Sequence, residues 1–346
     1  MANMQTAGFG LGKQSAQGTG ATAFTLGRMM LSGSTPRWTE DQAKDEHIGV
    51  NERPTAQKSA QVRVGYAVPV KANWRLYPVL IGNALLLAGF KVTTTANSPE
   101  TGLHSHVFTL ADRDELLWGT AYHAIGEGTL GSARYARVVK DVRLSKLAIN
   151  SSIKNGLAVE SEGMGILDAA AAGTETLTGE PNAALNAATG TFDLTSSDIT
   201  EESFGIPQVH NITVTNPLGE DEGQLHTPFL QDLPLLGLGI TGQMQGLPWT
   251  IAQWKDLLYA SGVAPSASTL MLPEAAITWS YQSSEDVPTK ANPYSLTIAI
   301  AVATVRMEAL DISGQGKVKI SATYEMIDGA AGAPITITLV NDKASY

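Results

Sequence analysis

The chain contains no cysteine, which excludes disulfides, thiolate metal sites and cysteine nucleophiles and leaves stability to packing or assembly. Charge is sparse at 16% and leans acidic, with 33 acidic against 23 basic residues and a formal charge of −10. Proteins that grip nucleic acid do so largely through Lys and Arg displacing counterions from phosphates. This composition therefore argues against a DNA clasp, although an acidic surface can border DNA without holding it. Long apolar runs are also missing. The longest, from Val79 to Phe90, is interrupted by Gly82 and Asn83 and falls short of the ~20 residues of a membrane-spanning helix. Residues 1–30 lack the basic start and apolar core of a signal peptide. The expectation is a soluble protein made in the cytoplasm.

Catalytic and metal signatures are equally scarce. Gly12-Lys13 invites a phosphate-loop reading, but Ala7 stands where the template needs glycine and Gln14 where it needs Ser or Thr. His104 and His106 fall on one side of a strand, as a two-histidine metal site can, yet no third ligand has telling spacing and His123, His210 and His226 are scattered. Asp112, Asp114 and Glu115 lack the spacing and glycine of a calcium loop and are expected to form a solvated turn. Asn150-Ser151-Ser152 and Asn211-Ile212-Thr213 match the glycosylation pattern, which has no meaning without secretion. No G-x-S-x-G nucleophile elbow occurs. Trp249 and Trp254 suit helix and core packing better than a sugar-stacking platform. No catalytic, cofactor-binding or metal-binding residue is therefore assigned, and the chain is expected not to be an enzyme.

What is present is an internal repeat. Val142-Arg143-Leu144-Ser145-Lys146-Leu147-Ala148-Ile149-Asn150 returns as Val305-Arg306-Met307-Glu308-Ala309-Leu310-Asp311-Ile312-Ser313, identical at Val, Arg, Leu and Ile and offset by 163 residues. In each copy the apolar alternation slips phase, from Leu144 to Leu147 and from Met307 to Leu310. The side-chain period of a strand is two, so both copies must bulge or turn there. Each runs on into another alternating segment, Leu157–Ser161 and Val318–Ala322, at an offset of 161. Upstream, Val62, Val64, Tyr66, Val68 and Val70 alternate, with Pro69 marking an edge or bulge. Leu236, Leu238, Ile240 and Met244 match four of these positions at an offset of 174. A helix opened by Pro78 and closed by Gly89 follows the first set, and one from Pro248 to Gly262, carrying Ile251, Trp254, Leu257 and Leu258, follows the second. A last strand runs through Ile335, Ile337 and Leu339.

At 346 residues the chain suits one large domain or two of about 173, and the repeat selects two. The expected fold is mainly β: two tandem β-sandwich or barrel domains, each with one flanking helix, plus an extended N-terminal arm and loops. The boundaries are an arm at 1–35, a first domain at 36–172, a small-residue connector at 173–196 and a second domain at 197–346. The arm is rich in Gly, Ala, Ser, Thr and Gln and has too little apolar surface to order itself in isolation. It is read as a mobile tail or as a segment that orders against a neighbouring subunit.

Three stretches resemble one family. Gly10-Leu11-Gly12-Lys13-Gln14-Ser15-Ala16-Gln17-Gly18-Thr19-Gly20-Ala21-Thr22 is similar to the N-terminal signature of the tail tube proteins (major tail proteins) of long, non-contractile-tailed bacteriophages. Arg143 to Gly165 resembles that family's central strand pair, and Ile335 to Tyr346 its C-terminus. The resemblance implies a structural virion protein whose domains stack as rings around a channel for DNA, made in the host cytoplasm and housed in the virion tail. Its implied partners are further copies of itself, a tape measure protein, a tail terminator and passing DNA bound without sequence preference, with no membrane and no cofactor. Family members commonly form six-fold rings of one domain per subunit. Two domains here imply a trimeric, pseudo-six-fold ring, with a predominantly acidic lumen that repels phosphate. From a different class, the alternative is a secreted or surface carbohydrate-binding β-sandwich module, which needs an exposed aromatic platform.

Overall fold

The computed structural model describes residues 8–28, 68–96, 102–112, 115–125, 135–152, 156–170, 175–180, 185–196, 199–204, 207–219, 232–247, 250, 274–288, 291–307, 320–327 and 333–346. Eighteen strands and one helix lie among them, so the fold is mainly β as expected. In chain order they are β1 (Gly8–Lys13), β2 (Ala23–Arg28), β3 (Val68–Arg75), α1 (Leu80–Leu87), β4 (Phe90–Ala96), β5 (His104–Leu110), β6 (Gly119–Ile125), β7 (Tyr135–Ser152), β8 (Gly156–Gly165) and β9 (Leu167–Ala170). There follow β10 (Thr176–Gly179), β11 (Leu185–Ser196), β12 (Ile199–Phe204), β13 (Val209–Thr215), β14 (Gly239–Leu247), β15 (Glu274–Asp286), β16 (Pro293–Met307), β17 (Ile320–Met326) and β18 (Ile335–Asn341). The helix expected over Pro248–Gly262, the second phase slip at Leu310 and residues 1–7 and 29–67 lie outside the described residues.

Period-two burial is met in β3, β13 and β18, whereas β1 is buried at five successive residues. Val68, Val70, Ala72 and Trp74 bury one face of β3 while Pro69, Lys71 and Asn73 stay partly exposed. Among the described strands β3 pairs only with β8, the edge position that Pro69 tolerates. Helix α1 begins two residues after Pro78 and stops before Gly89, whose φ of 107° closes it in a conformation glycine adopts readily. All eight of its residues are buried, and Asn83 on its apolar surface donates to the Leu11 carbonyl at 2.7 Å. A helix apolar all round belongs inside a core.

The phase slip in β7 is real. Its ladder with β8 shifts register between Leu144 and Lys146, so Leu144 and Leu147 both reach the core. A second irregularity lies upstream at Asp141, at φ 55°, where β7 passes from pairing with β6 and β9 to pairing with β8 and β13.

The repeat reappears as a repeated set of pairings. β6 pairs β7, β7 pairs β8, β8 pairs β3 and β7 pairs β9. β15 pairs β16, β16 pairs β17, β17 pairs β14 and β16 pairs β18, in the same order and all antiparallel. Register agrees residue for residue. Leu144, Gly163 and Val70 form one row across three strands, and Met307, Ala322 and Met244 form its counterpart. The adjacent row is Arg143, Met164 and Pro69 in one half and Arg306, Thr323 and Gln243 in the other. These rows keep the offsets of 163 and 174 and set the β8-to-β17 offset at 159 rather than 161, a two-residue change that preserves strand phase.

The halves do not form separate sheets. β13 pairs with β7 and β18 with β5, and one hydrophobic cluster takes residues from both halves, from Phe9 to Leu339. Each half thus satisfies an edge of the other. Two low-complexity stretches also differ from expectation. Residues 8–28 of the supposed arm are strands β1 and β2, with Phe9, Leu11, Phe24 and Leu26 buried and β1 held between β2 and β6. Within the connector, β10 runs parallel to β2 and β11 joins β15. Small residues cannot build a core alone, but an existing edge recruits them, because strand addition is a backbone interaction.

Candidate functional site

One face of the assembly is continuous and polar. The ladders join β3, β8, β7, β13, β14, β17 and β16 edge to edge, and one side of this seven-stranded sheet is the core. Residues directly opposite one another define rows on the other side. One runs Lys71, Glu162, Lys146, Thr215, Gly239, and the next Asn73, Glu160, Ala148, Thr213, Thr241, Glu325, Thr304. A third continues Arg75, Ala158, Asn150, Asn211, Gln243, Thr323, Arg306. Threonine, asparagine and glutamine dominate, and no aromatic residue stands in any row.

Charge on this face is balanced rather than acidic. Lys71 meets Glu162 at 2.5 Å and Glu160 at 3.2 Å, and Lys146 meets the same two at 3.7 and 3.1 Å. The hydrogen bonds that Lys71 donates to Glu162 and then to Glu160 raise its ammonium above the ordinary pKa. Each exposed pair is worth ~0–1 kcal/mol, so the network's main effect is to cancel charge across three strands. The acidic wall expected from the net charge is not what these rows present.

At one end the face is covered. Arg143 sits flat over Trp118 at 3.8 Å and reaches the Leu233 carbonyl at 2.6 Å and the Asp232 carboxylate at 3.2 Å. Leu233 itself is buried against Ile166, Met164 and Leu167. The segment before β14 thus plugs a socket on the first half.

The motifs flagged in the sequence resolve into structural roles. His106 is buried with both ring nitrogens engaged, by Thr94 and Asn341, each at 2.9 Å. Desolvation lowers its pKa, and His104 merely stacks beside it at 6.3 Å. Glu115 pairs with Lys91 at 2.8 Å in an exposed turn that includes Asp112, and Asp114 lies outside the described residues. Gly12 and Lys13 are in strand β1, where a Cβ on Gly12 would crowd Ala21. Asn150 and Asn211 are cross-strand partners. Of the tryptophans, Trp74 and Trp279 are buried and Trp118 lies under Arg143. Trp38, Trp249, Trp254 and His226 are outside the described residues. Among the described residues no group of three or more His, Asp or Glu is placed to hold a metal ion.

Two polar clusters had no signature in the sequence. His210 is neutral, pushed down to about 3 by burial. It stacks on Trp279 at 3.9 Å and bridges the hydroxyls of Tyr281 at 3.2 Å and Tyr324 at 2.8 Å. The second cluster caps α1, whose own sequence provides no side-chain cap. Glu180, from the turn after β10, accepts from the Leu80 and Val79 amides, and its partly buried carboxyl is pushed up to about 8 by desolvation, against the pull of those donors. The C-terminal residues close over it: Asn341 donates to the Pro78 carbonyl at 2.9 Å and to the Tyr346 hydroxyl at 2.6 Å, and Lys343 reaches Asn83 at 3.4 Å. Among the described residues both clusters do structural work, and Tyr324 also lines a cavity on the polar face. No protein-family model matches the chain, and comparison with curated proteins finds no match.

Proposed function

We propose that this chain is a structural assembly protein, the subunit of a tube built from stacked rings, as the tail tube of a long, non-contractile phage tail is. In this reading the two halves are related domains fused in one chain, and three chains close a pseudo-six-fold ring. The observation that carries it is the repeated pairing pattern joined through β7 and β13 into one continuous polar face. A sheet that already continues from one half to the next within a chain needs only the same edge-to-edge step between chains to close on itself.

The polar face is the proposed channel wall. Rows of amides and hydroxyls, with Glu160 and Glu162 neutralised by Lys71 and Lys146, offer DNA phosphates neither a sustained cationic track nor a strongly repelling field, so a duplex slides. Assembly in the host cytoplasm, residence in the virion tail and contact with a tape measure protein and a terminator belong to the same proposal. Catalysis does not. Negative-stain electron microscopy of concentrated purified protein tests this directly. Hollow filaments with a regular axial repeat are expected, and a protein that remains monomeric at every concentration would overturn the reading.

A further inference from the structure

The two halves present equivalent sockets, and among the described residues only one is filled. Register places Arg306 and Thr323 where Arg143 and Met164 stand in the first half. Over Arg143 lies the chain's own segment Asp232–Leu233, which offers a carboxylate and a backbone carbonyl to one guanidinium nitrogen. Over Arg306 there is instead a cavity of about 420 Å³, lined by Asn211, Gln243, Thr304, Thr323, Glu325 and Arg306. The Arg306 side chain is exposed and has no ion-pair partner among the described residues. The lining mixes polar groups with Gly242 and Tyr324, carries a carboxylate of its own in Glu325, and keeps the donor that the filled socket uses.

We infer that the Arg306 cavity is the docking site for a second copy of this chain, which inserts an extended segment bearing a carboxylate, as Asp232–Leu233 does within the chain. Three observations select that occupant. The filled socket shows the mode of binding: an extended strand-flanking segment laid across the sheet, held by Arg through a carboxylate and a carbonyl. Copies of the chain have carboxylates to spare, 33 acidic against 23 basic residues, from which one can be supplied to Arg306. The relation is also directional, because the first half's socket is served by the second half, and among the described residues no segment of the chain serves the second half's socket. Such heterologous contacts propagate into rings. The inference deepens the assembly reading and rests on it only for the identity of the partner.

Two variants test it. Arg306 is exposed, so Arg306→Glu keeps the monomer's circular dichroism and melting transition, and it is expected to cut self-association at least tenfold in sedimentation velocity. The chain has no cysteine, so Thr304→Cys, in the lining of the same cavity and with Arg306 intact, carries a unique thiol. Labelled with a photoactivatable benzophenone, it is expected to give covalent dimers and higher multimers on illumination of the associated protein, with the crosslinked peptide bearing an acidic residue. Wild-type protein that associates while Arg306→Glu associates equally well and the labelled variant yields no inter-chain crosslink would overturn the socket and leave the tube reading standing. Wild-type protein that never associates would overturn both.

Discussion

Gly82, in the first turn of α1, lies directly beneath the ring of Tyr346. Replacing a helical glycine with alanine ordinarily stabilises a helix by up to ~1 kcal/mol. Here the added methyl would occupy the space of the tyrosine ring and displace a hydroxyl that donates to the Pro78 and Val79 carbonyls. Gly82→Ala is therefore expected to destabilise by about 1–3 kcal/mol. Denaturant titration reads the sign, and a stabilised variant would show that the C-terminus is not seated on the helix.

The cap beside it makes stability depend on pH. Glu180 has a folded pKa raised to about 8 from an ordinary 4.5, so its contribution is fully present below the usual carboxylate range and is lost as pH rises through about 8. Lys343, lowered to about 8 from 10.5 by burial, is protonated in both states below that point and adds little slope there. His123 and His210, lowered to about 4 and about 3, act in the opposite sense: their contribution is present above the ordinary histidine value and is lost as pH falls through those values. The difference between wild type and Glu180→Gln isolates the carboxyl. Melting temperatures measured from pH 5 to 8 should fall for the wild type relative to the variant, and parallel profiles would contradict the assignment.

Removing residues 1–30 deletes β1 and β2 and with them Phe9, Leu11, Phe24 and Leu26. Losing even one buried Leu or Phe side chain costs roughly 2–5 kcal/mol, comparable to much of a domain's stability. The truncated protein is expected to lose cooperative unfolding, followed by near-ultraviolet circular dichroism. A truncated chain that melts like the parent would restore the view of this segment as a dispensable arm.

Tyr324→Phe leaves His210 Nε2 without its 2.8 Å partner in a fully buried setting. An unsatisfied buried group of this kind costs about 1–3 kcal/mol, so a lower denaturation midpoint is expected. An unchanged midpoint would mean that the hydroxyl is not holding the imidazole.

Local period and punctuation made much of this fold legible. Val68 and Val70, the helix from Pro78 to Gly89 and the slip between Leu144 and Leu147 could be read because each depends on neighbours within a few residues, whereas the continuation of β3 through Ala72 and Trp74 was not. The repeat was legible because Arg143 and Arg306 keep their places in matching rows. What escaped the reading depends on partners far along the chain. The cap on α1 comes from Glu180, about a hundred residues away, and no local pattern encodes it. Strands β1 and β10 have little apolar content and exist because β6 and β2 offer edges. The charge balance of the polar face follows from strand order, which sets Lys71 and Lys146 on either side of β8, whereas net charge alone suggested an acidic wall.

Electron cryo-microscopy of the assembled protein tests the central claim most directly. The account predicts a hollow tube with three chains per ring, in which the face bearing Lys71, Glu160, Lys146, Thr213 and Gln243 lines the bore. Six chains per ring, that face turned to the outside, or compact particles with no channel would contradict it.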